Sequence, residues 1–145
     1  VLLPDVNVLV YALRSDATDH IAARSWLDDV HASDEPIALC PPILAGLLRV
    51  ATSPRIFATP TPRAVLWEFV DALRSSPLHR FVAAGPRHPD LLRQLCREAD
   101  ATGNLVSDAA IGAIAVEHGC RVVSTDGDFA RFASVRWSRP WPLAS

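Results

Sequence analysis

Residues 107–125, SDAAIGAIAVEHGCRVVST, decide the fold. Ser107 is a residue type that caps helices, Ile111, Ile114 and Ala115 recur at helical spacing, and Gly119 suits the left-handed residue that ends a helix. The spacing therefore predicts a helix over 107–118. RVVST, residues 121–125, is short, apolar and β-branched, which reads as a buried strand. The connection between the two is so short that helix and strand must run antiparallel. The amino end of the helix then lies beside the carboxyl end of the strand.

The rest of the chain repeats this alternation. VLLPD, residues 1–5, fits a buried strand, with Pro4 as a difficulty because it has no N–H to give to a ladder. Residues 7–13 suit a short helix. Asp19 is placed to cap a helix over 20–30, in which Ile21, Ala22, Trp26, Leu27 and Val30 follow helical spacing. IALC predicts a strand at 37–40, and Pro41 and Pro42 fit the first turn of the helix after it. The segment SPRIFATPTP, 53–62, reads as a loop. Helices over 62–74 and 90–101 flank a strand at 79–84. Helices alternating with short strands imply a mainly parallel central sheet covered by helices, a three-layer α/β fold in one domain over 1–145.

Composition narrows the function classes. Of 145 residues, 50% are hydrophobic and 21% charged, which excludes intrinsic disorder. Both long apolar stretches are interrupted, at Pro4 and Asp5 and at Pro41, Pro42 and Arg49, so no membrane span is expected and the default location is cytoplasmic. Three dispersed cysteines, Cys40, Cys96 and Cys120, read as small buried hydrophobes of a reducing compartment. The five histidines lack zinc-site spacing. A net charge of −2 gives no general attraction to nucleic acid. All 14 basic side chains are nonetheless arginine, which makes bidentate phosphate contacts wherever a local patch forms.

In a parallel sheet, ligands bind beyond the carboxyl ends of the strands where strand order reverses. Asp5 follows the first strand, Asp126 and Asp128 follow RVVST, and Asp108 lies near the amino end of the 107–118 helix. Carboxylates from three places distant in sequence are thereby directed to one place. Such groups repel unless a cation neutralises them, and oxygen-only ligation selects Mg²⁺ or Mn²⁺. The natural reaction is phosphodiester hydrolysis. Taken singly, each group has a plainer reading: Asp5 as a helix cap, Asp108 as a complement to the helix dipole, and Asp126 with Asp128 as turn residues.

The segments PDVNVLVYAL (4–13), PPILAGLLRVATSPRIF (41–57) and NLVSDAAIGAIAVEHGCRVVSTDGDFARF (104–132) together resemble the PIN-domain nucleases, in particular the VapC-type toxins of bacterial toxin–antitoxin pairs. The resemblance covers both ends and the middle of the chain in order. It implies a metal-dependent ribonuclease acting on RNA with Mg²⁺ (or Mn²⁺). It further implies a homodimer, and neutralisation by a VapB-like antitoxin. Carried over residue by residue, it places the first acidic ligand on Asp5, with Asn7 in the same motif. The third ligand falls on Asp108 and the fourth on Asp126, with Asp128 close behind and Thr125 at a commonly polar position.

One departure concerns the second acid. The family has glutamate in a pattern like LAELLRV, whereas this chain has LAGLLRV, with Gly46 at that position. Glycine within a helix costs about 1 kcal/mol relative to alanine, and the sequence suggests no local need for it. Gly46 is either natural, leaving a weakened nuclease or a PIN scaffold that only binds, or a substitution that lowers toxicity. The three intact acids favour the second. An unrelated α/β phosphoryl-transfer domain is disfavoured, because the dehalogenase-like phosphatases want a second aspartate where Asn7 stands. Arg14, Arg24, Arg49 and Arg55 are candidates to line the approach to the site, Trp26, Leu27, Leu47 and Leu48 to form an antitoxin groove, and Trp137 and Trp141 to cover the sheet edge or a dimer surface.

Overall fold

The computed structural model describes residues 1–142. In chain order the elements are β1 (Leu2–Pro4), α1 (Val6–Leu13), α2 (His20–Ala32), β2 (Ala38–Leu39), α3 (Pro41–Ala51), α4 (Arg63–Arg74), β3 (Arg80–Phe81), α5 (His88–Ala99), α6 (Asn104–His118), β4 (Arg121–Val123) and β5 (Trp137–Ser138), with a 3₁₀ turn at Gly127–Arg131 before the last strand. The expected α/β class and mainly parallel sheet are what the chain adopts.

Every strand pairing is parallel. β1 pairs with β4 and β4 with β5, with Pro4 level with Val123 and Val123 level with Ser138. β2 pairs with β3, and a bridge between Leu2 and Ile37 ties this pair to β1. The strand order is thus β3-β2-β1-β4-β5, reversing direction between β1 and β4. Pro4 is accommodated because alternate amides of a strand point to opposite sides. Asp5 N–H bonds to Val123 O on the β4 side at 2.8 Å, and Leu2 N–H to Pro36 O on the β2 side at 2.9 Å. The proline nitrogen shares Leu2's side, beyond the point where pairing with β2 has ended.

The core is made by the strands and the helices laid on them. Leu3, Leu9, Leu39, Ile43, Leu47, Val122 and Phe129 are fully buried, each contributing about 1.5–3 kcal/mol through removal of apolar surface from water. α1 packs against α2 and α3, and α5 against α6. Leu27 and Leu47, offered above as groove residues, belong to this core, whereas Trp26 and Leu48 are half-buried at its margin. Among the described residues no helix is long and apolar enough to cross a membrane.

Several boundaries differ from the expected ones. α6 starts at Asn104 rather than at Ser107, with Gly103 before it at φ 57°, a left-handed conformation suited to glycine. Leu105 is buried and pulls the helix start three residues upstream, where Val106 N–H bonds to Gly103 O at 3.0 Å. Ser107 is therefore no cap, and Asp108 sits in the second turn, beyond the first-turn range of the helix dipole. Asp19 precedes α2 but makes no side-chain cap. Instead His20 Nδ1 meets Tyr11 O at 2.8 Å, tying α2 to α1. β3 spans two residues of the predicted six, and β5 was not foreseen.

Candidate metal centre

The order reversal between β1 and β4 opens a crevice, and Asp5 and Ser124 end the two strands that flank it. Asp5 is 8% exposed and its carboxylate is surrounded by donors. Oδ1 accepts Val6 N–H at 2.8 Å, capping α1. Oδ2 accepts the Ser124 hydroxyl at 2.7 Å and the Asn7 amide at 3.5 Å. Ser124 Oγ in turn accepts Asn7 Nδ2 at 3.2 Å and Asp126 N–H at 3.0 Å. Asn7 Oδ1 accepts Thr125 N–H at 3.4 Å. The first residues of α1 are thereby knotted to the loop after β4. Burial raises the Asp5 pKa, the Ser124 and Val6 bonds oppose this, and the charge of Asp126 adds to the rise.

Asp108, Asp126 and Asp128 form the second part. One carboxylate oxygen from each lies within 4.8 Å of the other two. Asp126 caps the 3₁₀ turn by accepting Asp128 N–H at 2.9 Å, which brings the two side chains of that loop together. Asp108 reaches them from α6. Its pKa is pushed up to about 6, first by burial and then by the charges of Asp5, Asp126 and Asp128. Three oxygens at this spacing fit a hard divalent ion, whose bonds run about 2.0–2.1 Å for Mg²⁺, after small carboxylate rotations. The donor set thus suits Mg²⁺ or Mn²⁺ on chemistry alone.

The sequence-predicted ligands are therefore divided. Asp108 and Asp126 converge as expected. Asp5 stands outside the oxygen cluster, because all its nearest donors hold it in the knot, although its charge is felt by Asp108. Asp128, left unassigned in the sequence, completes the cluster. The signal for it was the single-residue spacing of STDGDF, which a tight turn converts into convergence.

A cleft of about 740 Å³ reaches this centre at Asp108, and Asp5, Asn7, Val10, Tyr11, Ile56 and Phe57 also line it. Gly46 lies on its wall. A Cβ built at Gly46 would stand 2.7 Å from Val6 Cγ2, so this position does have a local packing relation that the sequence did not disclose. Valine is stiff at χ1, and a side chain at 46 requires Val6 to move.

Of the candidate arginines only Arg49 lines the cleft. Arg14 is buried. It forms a two-point pair with Asp16 at 2.6 and 3.0 Å, donates to Thr61 Oγ1 at 3.1 Å and lies 3.7 Å over the Phe57 ring. It fastens the 53–62 loop to α1. Trp141 packs against Tyr11 at 6.3 Å between ring centroids. Trp137 lies on the edge strand β5 and donates its indole N–H to Ser124 O at 3.2 Å, while Arg139 Nη1 donates to Thr125 O. Trp137 of the unforeseen strand and Arg139 just after it thus hold consecutive carbonyls of the loop that carries the acids.

The PIN domain family model matches residues 2–135. Ribonuclease VapC25 of Mycobacterium tuberculosis is 52% identical over 138 residues, covering 95% of this chain and 97% of that protein. Ribonuclease VapC43 of Mycobacterium tuberculosis is 42% identical over 139 residues, with 96% and 95% covered. Among solved structures, VapBC2 from Rickettsia felis bound to a promoter DNA fragment matches with TM-score 0.69 at 17% identity, covering 95% of this chain and 97% of that one. The sarcin-ricin-loop-cleaving toxin VapC20 of Mycobacterium tuberculosis matches with TM-score 0.65 at 17% identity, covering 94% and 99%. At those identities the two structures speak for the fold, and the sequence relatives speak for the family. The chain belongs to the PIN-domain family and, within it, to the VapC ribonucleases.

Proposed function

We propose that this chain is a divalent-metal-dependent ribonuclease toxin of the VapC type, hydrolysing RNA phosphodiester bonds and neutralised by a VapB-like antitoxin, with activity lowered by Gly46. The observation that carries the reading is the convergence of Asp108, Asp126 and Asp128, with the Asp108 pKa raised by burial and by the charges of its carboxylate neighbours. Asp108, Asp126 and Asp128 would hold Mg²⁺ or Mn²⁺, with Asp5 adding negative charge beside them. When bound, the ion supplies polarisation of the phosphodiester and acidification of a water. The chain's own part is positional. Ser124 and Asn7 fix Asp5, and through Ser124 the same bonds fix the backbone of Asp126, so the carboxylates from β1 and β4 are held in register before any substrate arrives. Gly46 leaves the opposite wall of the cleft without a carboxylate to orient a water.

The apolar residues that line the cleft, among them Val10, Tyr11, Ile56 and Phe57, suit the antitoxin contact. A homodimer is part of the same reading. Sedimentation at micromolar concentration should give twice the chain mass, and a well-behaved monomer across that range would count against the dimer.

The function is tested by cleavage of total cellular RNA in Mg²⁺ or Mn²⁺ and in EDTA. Gly46→Glu should raise the rate by about 10² to 10⁴-fold, the usual size of one catalytic carboxylate. Because a side chain at 46 meets Val6, Gly46→Glu with Val6→Ala should be the better folded of the two variants. Adding Asp108→Asn should abolish the gain. If Gly46→Glu with Val6→Ala folds and binds Mn²⁺ but cuts no RNA, the chain is a binding module on a PIN scaffold.

A further inference from the structure

Arg139 has no place in the reading so far, yet three observations single it out. It follows β5, one residue beyond the level of Val123 and Ser138, and so projects from the carboxyl edge of the sheet, where the acids lie. Its guanidinium is held in position by Thr125 O through Nη1 and lies 5.2 Å over the Trp137 ring. Gly127, between Asp126 and Asp128, has no positive φ that would demand glycine, but a Cβ there would come 3.1 Å from Arg139 Nη2. The guanidinium thus rests close against the glycine between two site acids.

Arg139 also forms no ion pair among the described residues, although Asp126 and Asp128 flank the glycine it touches. A guanidinium offers five N–H donors in a planar fork that matches phosphate. Its hydrogen bonds among the described residues engage only Nη1, leaving Nε and Nη2 without an acceptor. A fixed cation with free donors, beside a cluster built for a metal and a phosphodiester, has an anionic oxygen as its natural partner.

We propose that Arg139 is a substrate-binding residue whose guanidinium contacts a backbone phosphate of the RNA strand lying across the acidic cluster. The proposal rests on the ribonuclease reading above and adds to it a named contact. It also gives β5 a part: its Trp137 donates to the Ser124 carbonyl, and the guanidinium of Arg139, just after the strand, lies over the same indole ring.

The test is equilibrium binding of two labelled probes, a mixed-sequence single-stranded RNA and a hairpin with a mixed-sequence loop, by fluorescence anisotropy at a fixed concentration of Ca²⁺, a hard ion that the carboxylates can hold, from low to moderate salt. Arg139→Gln should weaken binding about tenfold at the lowest salt, as expected for a lost bond to a charged group. It should also flatten the dependence of log Kd on log salt by about 0.7 for the single strand, the share of one phosphate contact. Arg139→Lys should restore the slope but only part of the affinity, because the point charge remains without the fork. Arg80→Gln, at the opposite edge of the sheet, should leave both unchanged. A purely structural role for Arg139 would weaken binding without moving the slope, and an unchanged slope in folded Arg139→Gln overturns the proposal. If Arg139→Gln does not fold, Arg139→Lys decides, and full parental affinity in it overturns the proposal. Failure of the parent to bind either probe would instead overturn the ribonuclease reading itself.

Discussion

Asp5 and Asp108 line the same cleft and carry the same side chain, but the chain treats them in opposite ways. Asp5 accepts from a backbone amide, a hydroxyl and a carboxamide, and serves as the knot between β1, α1 and the loop after β4. Asp108 accepts no hydrogen bond among the described residues, and its pKa is pushed up to about 6 by burial and three neighbouring carboxylates. Burial raises both pKa values, but at Asp5 the bonds from Ser124 and Val6 oppose the rise, whereas at Asp108 three neighbouring carboxylates add to it and an incoming cation would relieve them. The knot is built for folding and the cluster for a ligand. The contrast is open to direct attack by substitution.

The largest expected effect is on metal binding. Asp108→Asn should weaken Mn²⁺ binding, followed by calorimetry or water-proton relaxation, by at least about tenfold, while Asp5→Asn should weaken it by less, since Asp5 acts mainly through its charge. If Asp5→Asn proves as damaging as Asp108→Asn, Asp5 leaves its knot to become a ligand and the division drawn above fails. Equal affinity in the parent and Asp5→Asn would remove Asp5 from the centre altogether.

Stability should show the reverse ranking. Asp5→Ala leaves Val6 N–H, Ser124 Oγ and Asn7 Nδ2 without their acceptor. The loss of a helix cap together with buried donors left unpaired costs about 2–4 kcal/mol. Urea denaturation in EDTA measures it. A loss below about 0.5 kcal/mol, the size of an ordinary surface change, would mean that water replaces the carboxylate at little cost.

How far these two regions were legible in the sequence follows the same line. Asp5, Asp108 and Asp126 are legible because strand ends and helix starts are local patterns, and alternation implies a mainly parallel sheet whose carboxyl edge gathers them. What escaped depended on contacts between distant segments. The start of α6 is set by Leu105 entering the core, which moved Asp108 out of the first helical turn and removed the helix dipole as its explanation. β5 is only Trp137–Ser138, too short to show alternation, and it exists because β4 offers an open edge. The bonds that confine Asp5 come from Ser124, more than a hundred residues away, and the crowding at Gly46 comes from Val6. None of these leaves a periodic trace in the sequence.

The smallest expected effect is on the pH dependence of stability, where the crowding at Asp108 shows directly. A carboxyl whose pKa rises from 3.8 to about 6 on folding binds more protons in the native state than in the unfolded state between those values, so stability falls as the pH rises through that interval. Above about pH 6 the full penalty is present, and below about pH 4 it has gone. Asp108→Asn removes the charge and should therefore stabilise the metal-free protein at pH 7.5, by about 1 kcal/mol once solvent screening of a half-exposed group is allowed for. At pH 4 parent and variant should unfold at the same urea concentration. Addition of Mn²⁺ at pH 7.5 should then reverse the ranking, because the ion stabilises the native state of the parent and has lost a ligand in the variant. If the gain from Asp108→Asn is equal at both pH values, it comes from helix propensity or packing, and Asp108 does not carry the unrelieved charge that distinguishes the cluster from the knot.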